Sequence, residues 1–292
     1  MTKICCVNRG FPNPRFRRLI ASIPAACGAI QTRDNPVLPN LVLILALLPF
    51  LMPLRVAAEL PSDGLILDLD ASRGVSLEDG DRVSSWSNQA PGKAARDFVK
   101  RDKGRKEPGS GRPTFRKTVD QLGGKPALAF RRQELVCMDE DAFDPLTTGA
   151  GNTWIAVIAV HEQKAGLKDV NSFFGNLRNG GKYEGLWGCV NDDNSVWFGA
   201  RNGVTMGRFD ANNPKVLGPV LEKNRYHVVA GRMAEGTGEV LLELFVDRLP
   251  AMAKGKVPVR REANPSRMAI GQERDAVEHP GYESFDGEIA RF

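Results

Sequence analysis

The chain has 292 residues, 42% hydrophobic and 26% charged, with a formal net charge of +5. This is enough for one large or two small domains. The basic excess sits in residues 1–58, which hold 7 of the 40 Lys and Arg and 1 of the 35 Asp and Glu; the remainder has 33 basic and 34 acidic residues, net −1. That balance excludes a global electrostatic basis for nucleic-acid binding.

Leu41 to Leu54 is a 14-residue apolar run, LVLILALLPFLMPL, interrupted by Pro49 and Pro53. A membrane span needs about 20 residues, so the run fits the core of a signal peptide better than an anchor. Arg15, Arg17, Arg18 and Arg33 precede it, and Val56-Ala57-Ala58 places small residues before Glu59. The expectations are cleavage between Ala58 and Glu59 and export to the periplasm, cell surface or exterior. Membrane contact is then transient. The long stretch before the run fits a gene start nearer Val37. Cys5, Cys6 and Cys27 belong to this leader; Cys137 and Cys189 remain after it. In an exported chain that pair is one disulfide or two buried thiols.

Residues 59–292 read as one domain of short strands. Gly64 to Asp70, GLILDLD, is a first strand opened by Asp63-Gly64, and Asp79-Gly80 turns into RVSSW at 82–86. Residues 88–111 are polar and rich in Gly and Pro, a long surface loop. Its basic cluster at 100–106 reads as a solvated face before an anion site. PTFR at 113–116 and PALAF at 126–130 flank Gly123-Gly124, and Glu134 to Cys137 adds a short strand. TWIAVIAV at 153–160 is apolar on both faces, as in a central strand.

Strands follow at 172–176, 183–190 and 196–201. Asn179-Gly180 and Asn202-Gly203 mark turns, the latter suited to a type I′ hairpin. Tyr226 to Asp247, YHVVAGRMAEGTGEVLLELFVD, is a hairpin around Ala234–Gly238. Val240, Leu242, Leu244 and Val246 alternate with Glu243, so one face is buried. MAIG at 268–271 and FDGEIARF at 285–292 close the series. Some twelve short strands without a long helical period predict an all-β antiparallel sandwich.

The order LILDLDAS, VSSWSNQA, RPTF, KPALAF, TWIAVIAV, YHVVAGR, LELFVD, MAIGQ and FDGEIARF resembles the concanavalin A-like lectin/glucanase superfamily in its laminin-G-like branch, over nearly all of residues 62–292. The resemblance implies a jelly roll of two packed sheets, sugar or protein ligands in some members and bound calcium in several. Two departures stand out. The usual Asp-Gly after LELFVD is Asp247-Arg248 here. Members also continue beyond the FDGEIA segment into a last strand, so the expectation is either a truncated gene or a shortened final strand that leaves an edge for a partner.

Retaining glucanases work with two carboxylates about 5–5.5 Å apart. The superfamily's acidic motif is not found. Glu134 to Asp139 lacks the middle acid, and Glu239 and Glu243 have i, i+4 spacing without a central aspartate, on the hairpin's wet face. His161, His227 and His279 show no metal-ligand spacing. No G-x-S-x-G or P-loop is present. Calcium finds hard oxygen donors at Asn191, Asp192, Asp193 and Asn194, where an Asx-rich turn is the plainer reading. Asp68, Asp70 and Asp286 are a second set. For carbohydrate, aromatic faces and polar groups coincide at Tyr183, Trp187, Trp197 and Arg201 on adjacent strands; packing in the core is the competing use of both tryptophans. Trp154 belongs to the core. The expected function is an exported, non-catalytic module binding carbohydrate or an extracellular protein. The alternatives are a glycoside-active enzyme with an unrecognised acid pair and a structural interaction domain.

Overall fold

The computed structural model describes residues 62–92, 97–102, 111–163, 171–178, 183–204, 214–272 and 284–292. The run Leu41–Leu54, the Ala58–Glu59 junction and Asn179-Gly180 lie outside them. Ser62–Phe292 forms a compact unit. Among the described residues there is no α-helix, only 3-10 turns at Asp120–Leu122 and Asp144–Leu146, and no helix long and apolar enough to cross a membrane.

The strands are β1 (Val75–Glu78), β2 (Arg82–Trp86), β3 (Phe98–Lys100), β4 (Thr114–Val119), β5 (Lys125–Arg131), β6 (Leu135–Cys137), β7 (Asn152–Val160) and β8 (Asn171–Gly175). The series continues with β9 (Glu184–Val190), β10 (Ser195–Asn202), β11 (Lys215–Val220), β12 (Tyr226–Met233), β13 (Gly238–Val246), β14 (Ala253–Val259), β15 (Ala269–Ile270) and β16 (Asp286–Arg291). Their order is β11-β10-β9-β8-β15-β6-β3-β2-β4-β5-β16-β7-β12-β13-β14, with β1 paired to β2. Between β2 and β4 the ladder is a single pair, Arg82 with Thr114. The sheet folds over there, and at its far ends β14 packs against β10 and β11. The result is an antiparallel sandwich. The first layer runs from β11 through β3 to β2, with β1 beside it, and the second from β4 to β14.

Alternation fills the space between the layers. Trp154, Ala156, Ile158 and Val160 of β7 and Val240, Leu242, Leu244 and Val246 of β13 point inward, as the sequence predicts. Trp154 packs edge-on against Phe198, with ring centres 5.1 Å apart, and stacks with Phe292 at 6.3 Å. It lies across the ladder from Gly231, where a Cβ would sit 2.4 Å from the indole. The glycine is the space the ring occupies.

Several expectations are corrected. The strand at 64–70 is reduced to a bridge between Asp70 and Arg291. Leu69 N–H donates to the Phe292 carbonyl at 2.8 Å, and Phe292 N–H to Leu69 at 2.9 Å. The 88–111 stretch contains β3, whose Phe98 is fully buried. Lys100 of its basic cluster pairs with Glu78 and Asp102; positions 103–106 lie outside the described residues. Asn202-Gly203 makes no two-residue hairpin, because β11 begins only at Lys215. After β13, Asp247 takes a left-handed φ of 56° in place of the missing glycine. Its carboxylate accepts the Val228 N–H at 2.8 Å and pairs with His227 at 2.7 Å, a local bonding that lets Asp occupy that region. Finally, β16 is no edge: β5 and β7 pair with its two sides.

Candidate functional site

The four residues singled out for carbohydrate converge on the outer face of the first layer. Register explains why. Ser172, Cys189, Trp197 and Leu217 lie opposite one another across β8, β9, β10 and β11, and Trp187 faces Gly199 and then Lys215 one row along. Trp187 and Trp197 meet edge to face, with ring centres 5.1 Å apart at 85°. Gly199 lies between them, and a Cβ there would sit 2.9 Å from the Trp197 ring and 3.3 Å from Trp187. The Arg201 guanidinium lies 5.2 Å from the centres of both the Tyr183 and Trp187 rings. The Lys215 ammonium is 5.0 Å from Trp197. The sequence Tyr183, Arg201, Trp187, Trp197, Lys215 is therefore a continuous ladder of aromatic and cationic groups, each contact favourable by about 0.5–2 kcal/mol.

Of the two uses open to the tryptophans, burial is the one the structure shows. Trp187 is 2% exposed, Trp197 0% and Arg201 4%, while Tyr183 and Lys215 at the two ends are only partly buried. With Leu177 and Cys189 the indoles form a second apolar cluster, separate from the core between the layers. Tyr183 has a φ of +31°, a strained setting for an aromatic residue. The Trp197 indole N–H is buried with no hydrogen-bond partner among the described residues. Ser172, Gln272 and Ser284 are also buried here; Gln272 donates to the Ser284 hydroxyl at 2.8 Å, and Ser172 bridges to Ser284.

Cys137 and Cys189 are not joined. Cys189 belongs to the outer cluster and Cys137 to the core between the layers. β8 and β15 lie between their strands. Three strand spacings separate them by about 14 Å, twice the Cα separation of about 7 Å that a disulfide tolerates.

The Asn191–Asn194 turn links β9 to β10. Asp193 accepts both the Ser195 N–H at 2.8 Å and its hydroxyl at 2.6 Å, and these bonds hold its carboxyl below the usual range. Asn191 donates to the Ser195 hydroxyl at 2.7 Å, and Asn194 to the His161 carbonyl at 3.0 Å. Asn194 has a left-handed φ of 66°. This is an Asx-type turn with its Asp193 oxygen engaged by protein; Asp192 lies in the same turn. Among the described residues no group of three or more His, Cys, Asp and Glu could hold a metal. Asp68 and Asp70 gather with Arg73 and Arg291 instead.

Asp286 belongs to a charged network on the outer face of the second layer that the sequence reading missed. His161 lies 3.0 Å from Asp286 and 3.4 Å from Glu288. Glu288, 3% exposed, also meets Arg116 and the Tyr226 hydroxyl. Bonds to Asp286 and then Glu288 raise the His161 imidazole to about 9 against the effect of burial. Burial pushes the Glu288 carboxyl up, but its bonds from His161, Tyr226 and Arg116 together outweigh that and hold it at about 2. The available signal was the Asp286, Glu288 pair at i, i+2, which alternation puts on one face. Glu243 shares that outer face but is not wet: it is 4% exposed between Arg232 at 3.3 Å and Lys254 at 2.8 Å, and Glu239 is exposed. His227 resembles half of a catalytic dyad, yet its Nε2 accepts the Glu222 N–H at 3.1 Å, so the nitrogen a substrate would need is occupied.

No family model matches the chain, and no curated protein matches it. Among solved structures, the chain is similar to the CBM40 of the Ruminococcus gnavus IT-sialidase bound to α2,3 sialyllactose. Identity is 14%, coverage 51% of this chain and 77% of that one, and the TM-score 0.38. The Trypanosoma rangeli sialidase in complex with sialic acid gives 16% identity, 79% and 30% coverage and a TM-score of 0.45. The SAP-like pentraxin of Limulus polyphemus gives 15%, 54% and 66%, and 0.33. The chain thus spans less than a third of the trypanosomal sialidase. At these scores the likenesses carry no functional weight.

Proposed function

We propose that the chain is an exported, non-catalytic module that binds carbohydrate along the outer face of β8 to β11. The observation that carries this reading is the ladder from Tyr183 to Lys215 on a face that also buries Ser172, Gln272 and Ser284. A layer that served packing alone would be better stabilised by apolar residues than by a buried guanidinium. Aromatic surfaces with fixed polar groups are the chemistry that holds a sugar ring and its hydroxyls. The two partly buried ends, Tyr183 and Lys215, are where a ligand first meets the ladder.

The non-catalytic part of the reading has its own support. Glu243 and Glu288 are each engaged by two or more partners, which leaves neither poised as nucleophile or acid. Calcium, if bound, serves elsewhere than through the engaged Asp193 oxygen. A glycan array probed with the full chain tests the proposal. Binding that disappears in Tyr183→Ala supports it. An array without a binder, together with a protein captured specifically from the cell surface, moves the assignment to the protein-interaction alternative.

A further inference from the structure

We infer that β11 is an interface strand whose open edge pairs antiparallel with the β11 of a second copy of this chain. The inference is independent of the ligand. β11 stands at one end of the strand order, and among the described residues only β10 pairs with it. Two of its side chains, Leu217 and Val220, are 54% and 61% exposed, and Val220 is the most exposed large apolar residue among those described. An edge that shows apolar side chains beside unpaired N–H and C=O groups is a template for another strand.

The ladder to β10 shows which backbone groups are open. Ala200 N–H donates to the Pro214 carbonyl at 3.2 Å, and Leu221 N–H to the Asn194 carbonyl at 2.9 Å. Successive residues of an antiparallel strand turn their N–H and C=O to alternate sides. Counted from Pro214, Val216 faces β10 while Leu217 faces away. Counted back from Leu221, Pro219 faces β10 and Val220 faces away. The two counts meet at a bulge: Trp197 lies opposite Leu217 and Ser195 opposite Val220, two steps of β10 against three of β11. Pro219 therefore lacks its N–H on the β10 side, and the open edge keeps its donors at Leu217 and Val220. The bulge also puts both side chains on the outer face, since Ser195 and Trp197 share a face.

The same bulge selects the occupant. A regular strand repeats every two residues and does not match backbone groups set three apart. The β11 of a second copy, related by a two-fold axis, presents the same three-residue step in reverse. Leu217 then lies opposite Val220 of the second copy, and Val220 opposite its Leu217, one contact made twice. In this register Lys215 falls opposite Glu222 of the second copy, so like charges are not opposed across the seam. The first layers of the two copies join into one sheet.

The test is sedimentation equilibrium of the full chain over a concentration series, with amide hydrogen exchange at both ends of that series. The expected result is a reversible dimer in which the Leu217 and Val220 amides are protected only where the dimer is populated. Leu217→Lys and Val220→Glu, both at exposed positions, should leave the melting temperature unchanged and each weaken dimerisation by about tenfold or more. Mixing the two variants tests the register. Only when these positions face each other does the mixture set the new lysine against the new glutamate, so it should dimerise more tightly than either variant alone. A chain that stays monomeric throughout overturns the inference, as does a dimer that neither variant weakens. A mixture no tighter than its components overturns the register and the choice of a second copy with it. Protection of both amides in the monomer overturns the open edge itself, a result that needs no variant to fold.

Discussion

The network around His161 makes stability depend on alkaline pH. His161 reaches Asp286 at 3.0 Å and Glu288 at 3.4 Å, with its side chain 18% exposed. Its folded pKa of about 9 stands above the ordinary 6.5. The folded state therefore holds a proton that the unfolded chain releases between these values, and stability falls as pH rises through that window. The shift corresponds to about 3 kcal/mol, present below about pH 6.5 and lost by about pH 10. The depression of Glu288 shares only its His161 contact with this shift and draws also on Tyr226 and Arg116, and it acts at acid pH, so it is not added. Urea unfolding at pH 6, 8 and 10 measures the effect, with His161→Gln in parallel so that other groups titrating at high pH cancel. Wild type should lose about 3 kcal/mol more than the variant across the range. A wild type with no extra loss would refute the reasoning.

Other substitutions test the packing and the turns. Gly231→Ala places a methyl group in the Trp154 ring and should cost about 1–3 kcal/mol in chemical denaturation. Phe292→Ala removes a ring stacked on Trp154 and 4.7 Å from Phe174; a loss of about 3 kcal/mol is expected, and an unchanged midpoint would place that ring outside the core. Asp193→Ala breaks both acceptances from Ser195 and should cost about 1 kcal/mol, equally with calcium and with chelator. Mass spectrometry of the unreduced protein should recover the Cys137 and Cys189 peptides without a link between them.

What could be read beforehand follows from which signals are local. The inward face of β13 and the two-sided apolar run of β7 were legible because alternation and burial are written in a few consecutive residues. β11 and β14 escaped. Their sequences, KVLGPV and AKGKVPV, carry the Gly, Pro and Lys that guard exposed edges, and these are also the residues of loops. β3 escaped because three residues are too few for a period. At the site, Tyr183, Trp187, Trp197 and Arg201 could be grouped because they fall on neighbouring strands, and residue type favoured burial of the tryptophans, but the burial of Arg201 depends on distant segments. The Arg116–Glu288 pair spans 172 positions, and no local pattern announces it. The cysteines were ambiguous for the same reason: strand order, not spacing in sequence, sets their separation.

The position of β16 has a consequence for how the molecule is made. This is the last of the described strands in chain order, yet it lies between β5 and β7 in the second layer. Until residues 286–291 leave the ribosome, β5 and β7, though paired to β4 and β12, each keep one open edge, and the layer stands open in the middle. Non-local pairing of this kind is slow, since chain entropy is lost before any contact rewards it. Translation at about 5–20 residues per second thus delivers every other strand, from β1 to β15, before the second layer can close.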